Sequence, residues 1–209
     1  MPDLIGTPQF RRMLLAAAGQ IRANHEMLSR LDSAVGDGDH GTSILRAMEA
    51  VEKTVAENSG ADLKPLLSAI AWAVMGCDGG STGPLLGSFF LGLADGATGK
   101  NEFDCAGLAA WFDAGITKLQ KQSRAQVGDK TMMDAFLPAL AALQAADPAC
   151  GPNAALEQAA AAAAKGAETT RDMTAKFGRA RNLGDRVLGH PDPGAVSVAL
   201  IFKGFSEGI

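Results

Sequence analysis

FRRMLLAAAGQIRANHEMLSRLDSAVGDGDHGTSILRAMEAVEKTV, residues 10–55, reads as two helical patterns joined by an acidic, glycine-broken turn. Phe10, Leu14, Ala17, Ile21, Leu28 and Leu31 recur at the three- and four-residue spacing of one helix face, with polar Asn24 the one interruption. Ile44, Met48, Val51 and Val55 resume that spacing directly after the turn, so the turn connects two helices. Further helical patterns fall at about 63–75, 84–94, 105–122, 131–145 and 154–170, the last rich in alanine, the strongest helix former. Residues 195–205 are apolar on nearly every face and include Val196, Val198 and Ile201, which fits a buried helix better than a strand. Roughly eight helices with no hairpin or βαβ rhythm give an all-α fold.

The chain has 209 residues, a length that suits a single domain over 1–209 with a filled core. A net charge of −4 argues against a nucleic-acid partner, which would need a broad basic face to neutralise phosphates. Cys77, Cys105 and Cys150 are odd in number and widely spaced, a pattern that suggests neither a disulfide framework nor a zinc site. Free thiols fit a reducing compartment. The opening MPDLIGTPQFRRMLL lacks the charged, apolar, small-residue order of a signal peptide, and no apolar run reaches membrane-spanning length. The expectation is a cytoplasmic protein without a membrane partner.

The acidic turn, residues 31–41, holds Asp32, Asp37 and Asp39. Gly38 between the last two tolerates backbone angles that a side chain forbids, so both carboxylates can converge on one point. Three hard anionic oxygens on one short loop suit Mg²⁺, which completes its shell with water and substrate phosphates. Alone, Asp-Gly-Asp is also an ordinary turn, and Asp also caps helices. An EF-hand is excluded, because counting from Asp37 puts Met48 where a bidentate Glu is required and Gly41 at a ligand position.

Three other glycine-bearing motifs also fall between helices: CDGGSTGPLLG at 77–87, VGDKTMMD at 127–134 and GRARNLGDRVLGHPDPG at 178–194. In an up-and-down array alternate connections lie at one end, so the four motifs after the first, third, fifth and seventh helices share an end. Gly79, Gly80, Ser81, Thr82 and Gly83 lead into a helix with Pro84 in its first turn, and such a terminus offers free N–H groups and positive dipole charge to an anion. A plain capped helix start is the alternative. GDKTM is not a P-loop: Asp129 interrupts the Gly-Lys-Thr order and no strand leads in. Lys130 can still reach a phosphate, Asp129 or Thr131 can cap a helix, and Met132 can cover an adenine face with its polarizable thioether. Arg179, Arg181 and Arg186 bring guanidinium groups that grip phosphate oxygens bidentately, or pair with surface acids. His40 and His190 have no partner at a metal-ligand spacing and read as hydrogen-bonding or structural side chains.

Together and in this order, the four motifs resemble the DhaL family, the nucleotide-binding L subunits of bacterial dihydroxyacetone kinases, over nearly the whole chain. The resemblance implies an eight-helix antiparallel up-and-down barrel with a nucleotide site at one end. It implies two Mg²⁺ ions held by Asp32, Asp37 and Asp39, ADP or ATP as the nucleotide, and Arg179 with the three aspartates as the catalytic set. His40, Gly41, Thr42, Ser43, Ser81, Thr82, Ser123, Met132, Arg179, Asp192, Pro193 and Gly194 would border the nucleotide, with Ser123 standing where relatives can carry glycine. The implied reaction is phosphoryl transfer to dihydroxyacetone or a similar small ketose held by a separate K subunit. In phosphotransferase-coupled systems a third subunit, M, rephosphorylates bound ADP, whereas ATP-dependent relatives exchange the nucleotide; a homodimer is compatible with either. Two rivals are a fatty acid kinase-like nucleotide domain, whose proteins continue into further domains where this chain ends at Ile209, and a non-enzymatic nucleotide-binding regulatory module.

Overall fold

A computed structural model describes residues 4–60, 62–78 and 80–209. Among them are eight α-helices: α1 Thr7–Val35, α2 His40–Glu57, α3 Leu63–Met75, α4 Thr82–Gly96, α5 Cys105–Gln120, α6 Met133–Ala145, α7 Gly151–Thr169 and α8 Pro193–Glu207. Each packs against its neighbours in sequence, and α8 closes onto α1, so the array is a ring of antiparallel helices. No helix of the described residues is long and apolar enough to cross a membrane. The apolar segment near the C-terminus is a helix, started by Pro193 in its first turn and by Asp192, whose carboxylate accepts the Ala195 N–H at 2.7 Å.

One feature departs from the sequence reading. Two-residue strands β1 (Ile5–Gly6) and β2 (Glu102–Phe103) pair antiparallel, with Ile5 opposite Phe103. Two residues are too few for alternation to show as a pattern. The ladder spans the end of the ring remote from the four motifs, and Phe103 stacks on Trp111 with ring centroids 4.3 Å apart.

The interior is filled by aromatic rings. Phe10, Phe89, Phe112, Phe136, Phe202 and Phe205, with Trp111, form a continuous series of tilted and edge contacts drawn from α1, α4, α5, α6 and α8. The buried Trp111 N–H is satisfied by the Leu93 carbonyl at 2.7 Å. Where helices touch, small residues let backbones approach. Pro138 inside α6 has no N–H for the Asp134 carbonyl one turn earlier, and that carbonyl instead faces Gly166 of α7, where an added Cβ would lie 1.9 Å away.

The α1–α8 seam has the same character: a Cβ on Gly204 would lie 2.3 Å from Ala17 Cα and 2.4 Å from Ala17 N. Both atoms are backbone, so no side-chain rotation relieves the clash. Gly204→Ala is expected to destabilise the chain by about 1–3 kcal/mol despite alanine's better helix propensity. Urea unfolding followed by circular dichroism measures it, and an unchanged midpoint would show that the seam yields freely.

Candidate functional site

The four connections α1–α2, α3–α4, α5–α6 and α7–α8 lie at one end of the ring, where they line a cleft of about 230 Å³. The first is set by the end of α1. Gly36 N–H returns to the Asp32 carbonyl at 2.5 Å, and Gly38 takes φ +80°, where a Cβ would also meet Ser33 Oγ at 2.5 Å. The chain then re-enters a helix at His40, whose N–H donates to Asp32 Oδ2 at 3.1 Å. As a result Asp32, Asp37 and Asp39 bring one carboxylate oxygen each within 4.8 Å of one another, Asp32 half-buried and the other two exposed.

Asp39 stands at the N-cap position of α2, yet its side chain caps nothing, and neither does Ser81 at the start of α4. Asp104, Asp147 and Asp192 do accept helix N–H groups from the same position. The capping role open to Asp39 and Ser81 from sequence is therefore not the one they fill. The clustered oxygens and uncapped α4 start fit a hard divalent cation and an anionic group in one cleft. Arg179 already faces the cluster, its Nη1 lying 2.9 Å from Asp37 Oδ1 and 2.8 Å from Oδ2.

The third and fourth connections are bound to each other. Asp129 accepts from Gln126 N–H at 2.8 Å and from Lys176 Nζ at 2.6 Å, and the Lys176 hydrogen bond, more than any other cause, holds its carboxyl below the usual range. Asp134, almost fully buried, accepts from Gly128 N–H at 2.6 Å and Thr131 N–H at 2.8 Å. Lys130, which the sequence offers as a phosphate ligand, turns its ammonium instead to the carbonyls of Thr170 and His190, both at 2.5 Å. The fourth connection is partly 3-10 helix, Arg179–Val187, broken at Gly184 with φ +57°.

Of the residues singled out from sequence, Asp32, Asp39, His40, Gly80, Ser81, Thr82, Ser123, Lys130, Thr131, Met132, Arg179, Asp192, Pro193 and Gly194 line the cleft. Asp37 lies outside the lining, in the carboxylate cluster. Gly41, Thr42 and Ser43 do not line it: Gly41 packs on α1, where a Cβ would meet the His25 carbonyl at 2.0 Å, Thr42 is exposed, and Ser43 is buried. Gly79 lies outside the described residues. The sequence reading missed Phe177, a half-exposed ring in the cleft wall that stands alone in a polar segment and so has no periodic signal. Arg181 and Arg186 are exposed and outside the lining.

His40 ties two of these connections together. Its Nε2 lies 3.1 Å from Ser197 Oγ, and that hydroxyl donates to the Gly194 carbonyl at 2.8 Å. Burial pulls the imidazole below its ordinary value against the opposing pull of Asp32 and Asp39, which favours the neutral ring. Asp192 is perturbed more strongly: burial pushes its carboxyl up to about 7, despite the Ala195 N–H that favours its charged form.

Comparison with known proteins follows the same outline. A model of the DAK2 domain matches residues 34–207. The chain is 35% identical over 202 residues to the ADP-binding subunit DhaL of PEP-dependent dihydroxyacetone kinase 2 from Listeria innocua, covering 96% of this chain and 94% of that protein. It is 32% identical to the corresponding DhaL subunit of Escherichia coli, covering 85% of each chain. It is 38% identical to the L-erythrulose 1-kinase of Mycolicibacterium smegmatis, over 90% of this chain and 33% of that one. Among solved structures, the dihydroxyacetone kinase of C. freundii in complex with AMP-PNP and Mg²⁺ superposes with a TM-score of 0.74 at 26% identity, covering 100% of this chain. The chain spans only 35% of that kinase's length.

The Asp192 carboxyl gives a pH test. The folded chain keeps this proton up to about pH 7, whereas the unfolded chain loses it near 3.8, so the folded state binds more protons between those values. Stability from this group therefore falls as pH rises through that window. Asp192→Asn retains an acceptor for the Ala195 N–H without the ionisation, and its melting temperature should drop less than the wild type's between about pH 5 and about pH 8. An equal drop in both proteins would assign the pH dependence to other groups.

Proposed function

The chain belongs to the DAK2-domain family, and from that premise we propose that it is the nucleotide-binding subunit of a dihydroxyacetone kinase, transferring a phosphoryl group from a Mg²⁺-bound adenine nucleotide to a ketose carried by a partner K subunit. One observation carries the reading: the cluster of Asp32, Asp37 and Asp39 sits at the cleft, faced by Arg179 and by the uncapped start of α4. The relatives named as ADP-binding subunits, and a neighbour solved with AMP-PNP and Mg²⁺, support the same ligands here.

Asp32, Asp37 and Asp39 would hold two Mg²⁺ ions, which when bound neutralise phosphate charge and orient the transferring group. The α4 N–H groups with the Ser81 and Thr82 hydroxyls offer donors to phosphate oxygens. Arg179 supplies positive charge where charge builds up in the transfer, and Met132 with Pro193 offers apolar surface to the base. In this reaction type the protein mainly positions groups and stabilises charge, so the cleft needs no strong base. The acceptor is assigned to the partner. Phosphoryl supply through bound ADP, recharged by a phosphotransferase M subunit, is the form that the PEP-dependent relatives favour. L-erythrulose is the second acceptor to test, on the strength of the 38% identity to its kinase. We place the protein in the cytoplasm as one domain over 1–209.

Reconstitution decides the reading: ketose phosphate should form only when the chain, Mg²⁺, nucleotide and a K subunit are combined. Mass spectrometry of the freshly purified native protein should find retained ADP. Asp37→Asn should lower transfer by at least about 100-fold, with the helical circular dichroism unchanged, because Asp37 is exposed and takes no part in the core. Full activity of that variant at limiting Mg²⁺ would remove the carboxylate cluster from the mechanism.

A further inference from the structure

Lys130 is 2% exposed, and it is the single residue other than glycine with positive φ, +57°, among the described residues. That conformation costs energy for any residue with a Cβ, and it persists where the surroundings over-determine it. The surroundings here are two carbonyls far apart in sequence. Lys130 Nζ lies 2.5 Å from Thr170 O, at the end of α7, and 2.5 Å from His190 O, just before α8. These two residues are the two ends of the long fourth connection. A second bond closes the same neck, from Asp192 N–H to Thr170 Oγ1 at 2.8 Å. The middle of the loop is pinned to the residue beside Lys130: Lys176 N–H reaches Asp129 O at 3.1 Å, and its ammonium reaches Asp129 Oδ1 at 2.6 Å. Phe177, Gly178 and Arg179 follow at once and enter the cleft wall.

We infer that Lys130 is a positioning residue, whose ammonium closes the neck of the loop over residues 170–192 and so fixes where Arg179 meets the carboxylate cluster. The inference rests on the nucleotide-binding reading of the cleft. An ammonium has three donors and no acceptor; Lys130 borders the cleft but commits two of its donors to carbonyls at the two ends of the loop. Removing it leaves the buried Thr170 carbonyl and the part-buried His190 carbonyl without this partner and loosens a neck then held only by the Asp192–Thr170 bond and the bonds between Arg171 and Gly189. Burial pulls the Lys130 ammonium below its ordinary value, and Asp192 and Asp134 oppose that pull.

The test uses Lys130→Met in the full chain, with two readouts. In amide hydrogen exchange, residues 171–189 should open at least about tenfold faster while the aromatic interior of α1, α4, α5 and α8 keeps its protection. In the reconstituted transfer assay kcat should fall about tenfold or more, and Arg179→Ala should cost far less in the Lys130→Met background than in the wild type, because the guanidinium has already lost its place. Additive effects of the two substitutions, or an exchange increase spread evenly over the molecule, would overturn the inference. Should Lys130→Met fail to fold, Lys130→Gln removes the ammonium and shortens the side chain, and unchanged exchange in residues 171–189 of that variant would overturn it equally. Exchange needs no activity. A loosened loop in Lys130→Met, beside a wild type that transfers nothing, therefore counts against the kinase reading alone, and a tight loop in a transferring variant counts against Lys130 alone.

Discussion

The closure of α8 on α1 is the contact on which the site depends. It is made by backbone meeting backbone: Gly204 lies against Ala17 and Gly208 against Met13, with a Cβ on either glycine falling within 2.6 Å of a main-chain atom. Such a seam fixes the distance between helix axes, since no side chain stands between them to rotate away. The consequence appears at the end of the ring. His40 begins α2 directly after the acidic turn, Ser197 lies in the first turns of α8, and the two side chains meet at 3.1 Å across 157 positions of sequence. A ring left open at this seam would carry the same motifs without bringing the first and fourth together.

Charge at the rim is divided between two sides. The connections 121–132 and 170–192 hold eight of the chain's 19 lysines and arginines but only four of its 23 acids, whereas the first connection brings three carboxylates together. In a chain of net charge −4, an anion is thus received by local cations and an electropositive helix start rather than by a general field. The ion pair between Arg179 and Asp37 joins the two sides. Both partners are largely exposed, so the pair adds little stability and leaves the guanidinium free to exchange its carboxylate for a phosphate at small cost.

Much of this was legible in the sequence, for identifiable reasons. The helices followed from apolar spacing, and the pattern read at about 63–75 is the helix Leu63–Met75. The convergence of the four motifs followed from counting connections in an up-and-down array. What was not legible depends on direction rather than identity. Lys130, in a glycine-bearing loop, lies in the cleft wall, and sequence could not show that the Thr170 and His190 carbonyls take two of its three donors. Gly41, Thr42 and Ser43 adjoin the metal-binding candidates in sequence, and the structure sets them just outside the cleft lining, with Gly41 at the α1–α2 contact. Phe177 had no periodicity to reveal it, and the β1–β2 ladder was too short to show one.

The helix starts give an independent argument about which residues this chain keeps for stability and which for chemistry. Capping by Asp or Ser contributes on the order of 1 kcal/mol, and an uncapped start in their presence forgoes that gain. The chain takes the gain at Asp104 and Asp147, away from the cleft, and at Asp192, where the cap also bounds it. It forgoes the gain at Asp62, outside the cleft, and at Asp39 and Ser81, which face the cleft from the acidic side and from the glycine-lined side. Of these uncapped starts, those at Asp39 and Ser81 open on the cleft, where a bound cation and anion would supply the missing partners of the carboxylate and of the free N–H groups together.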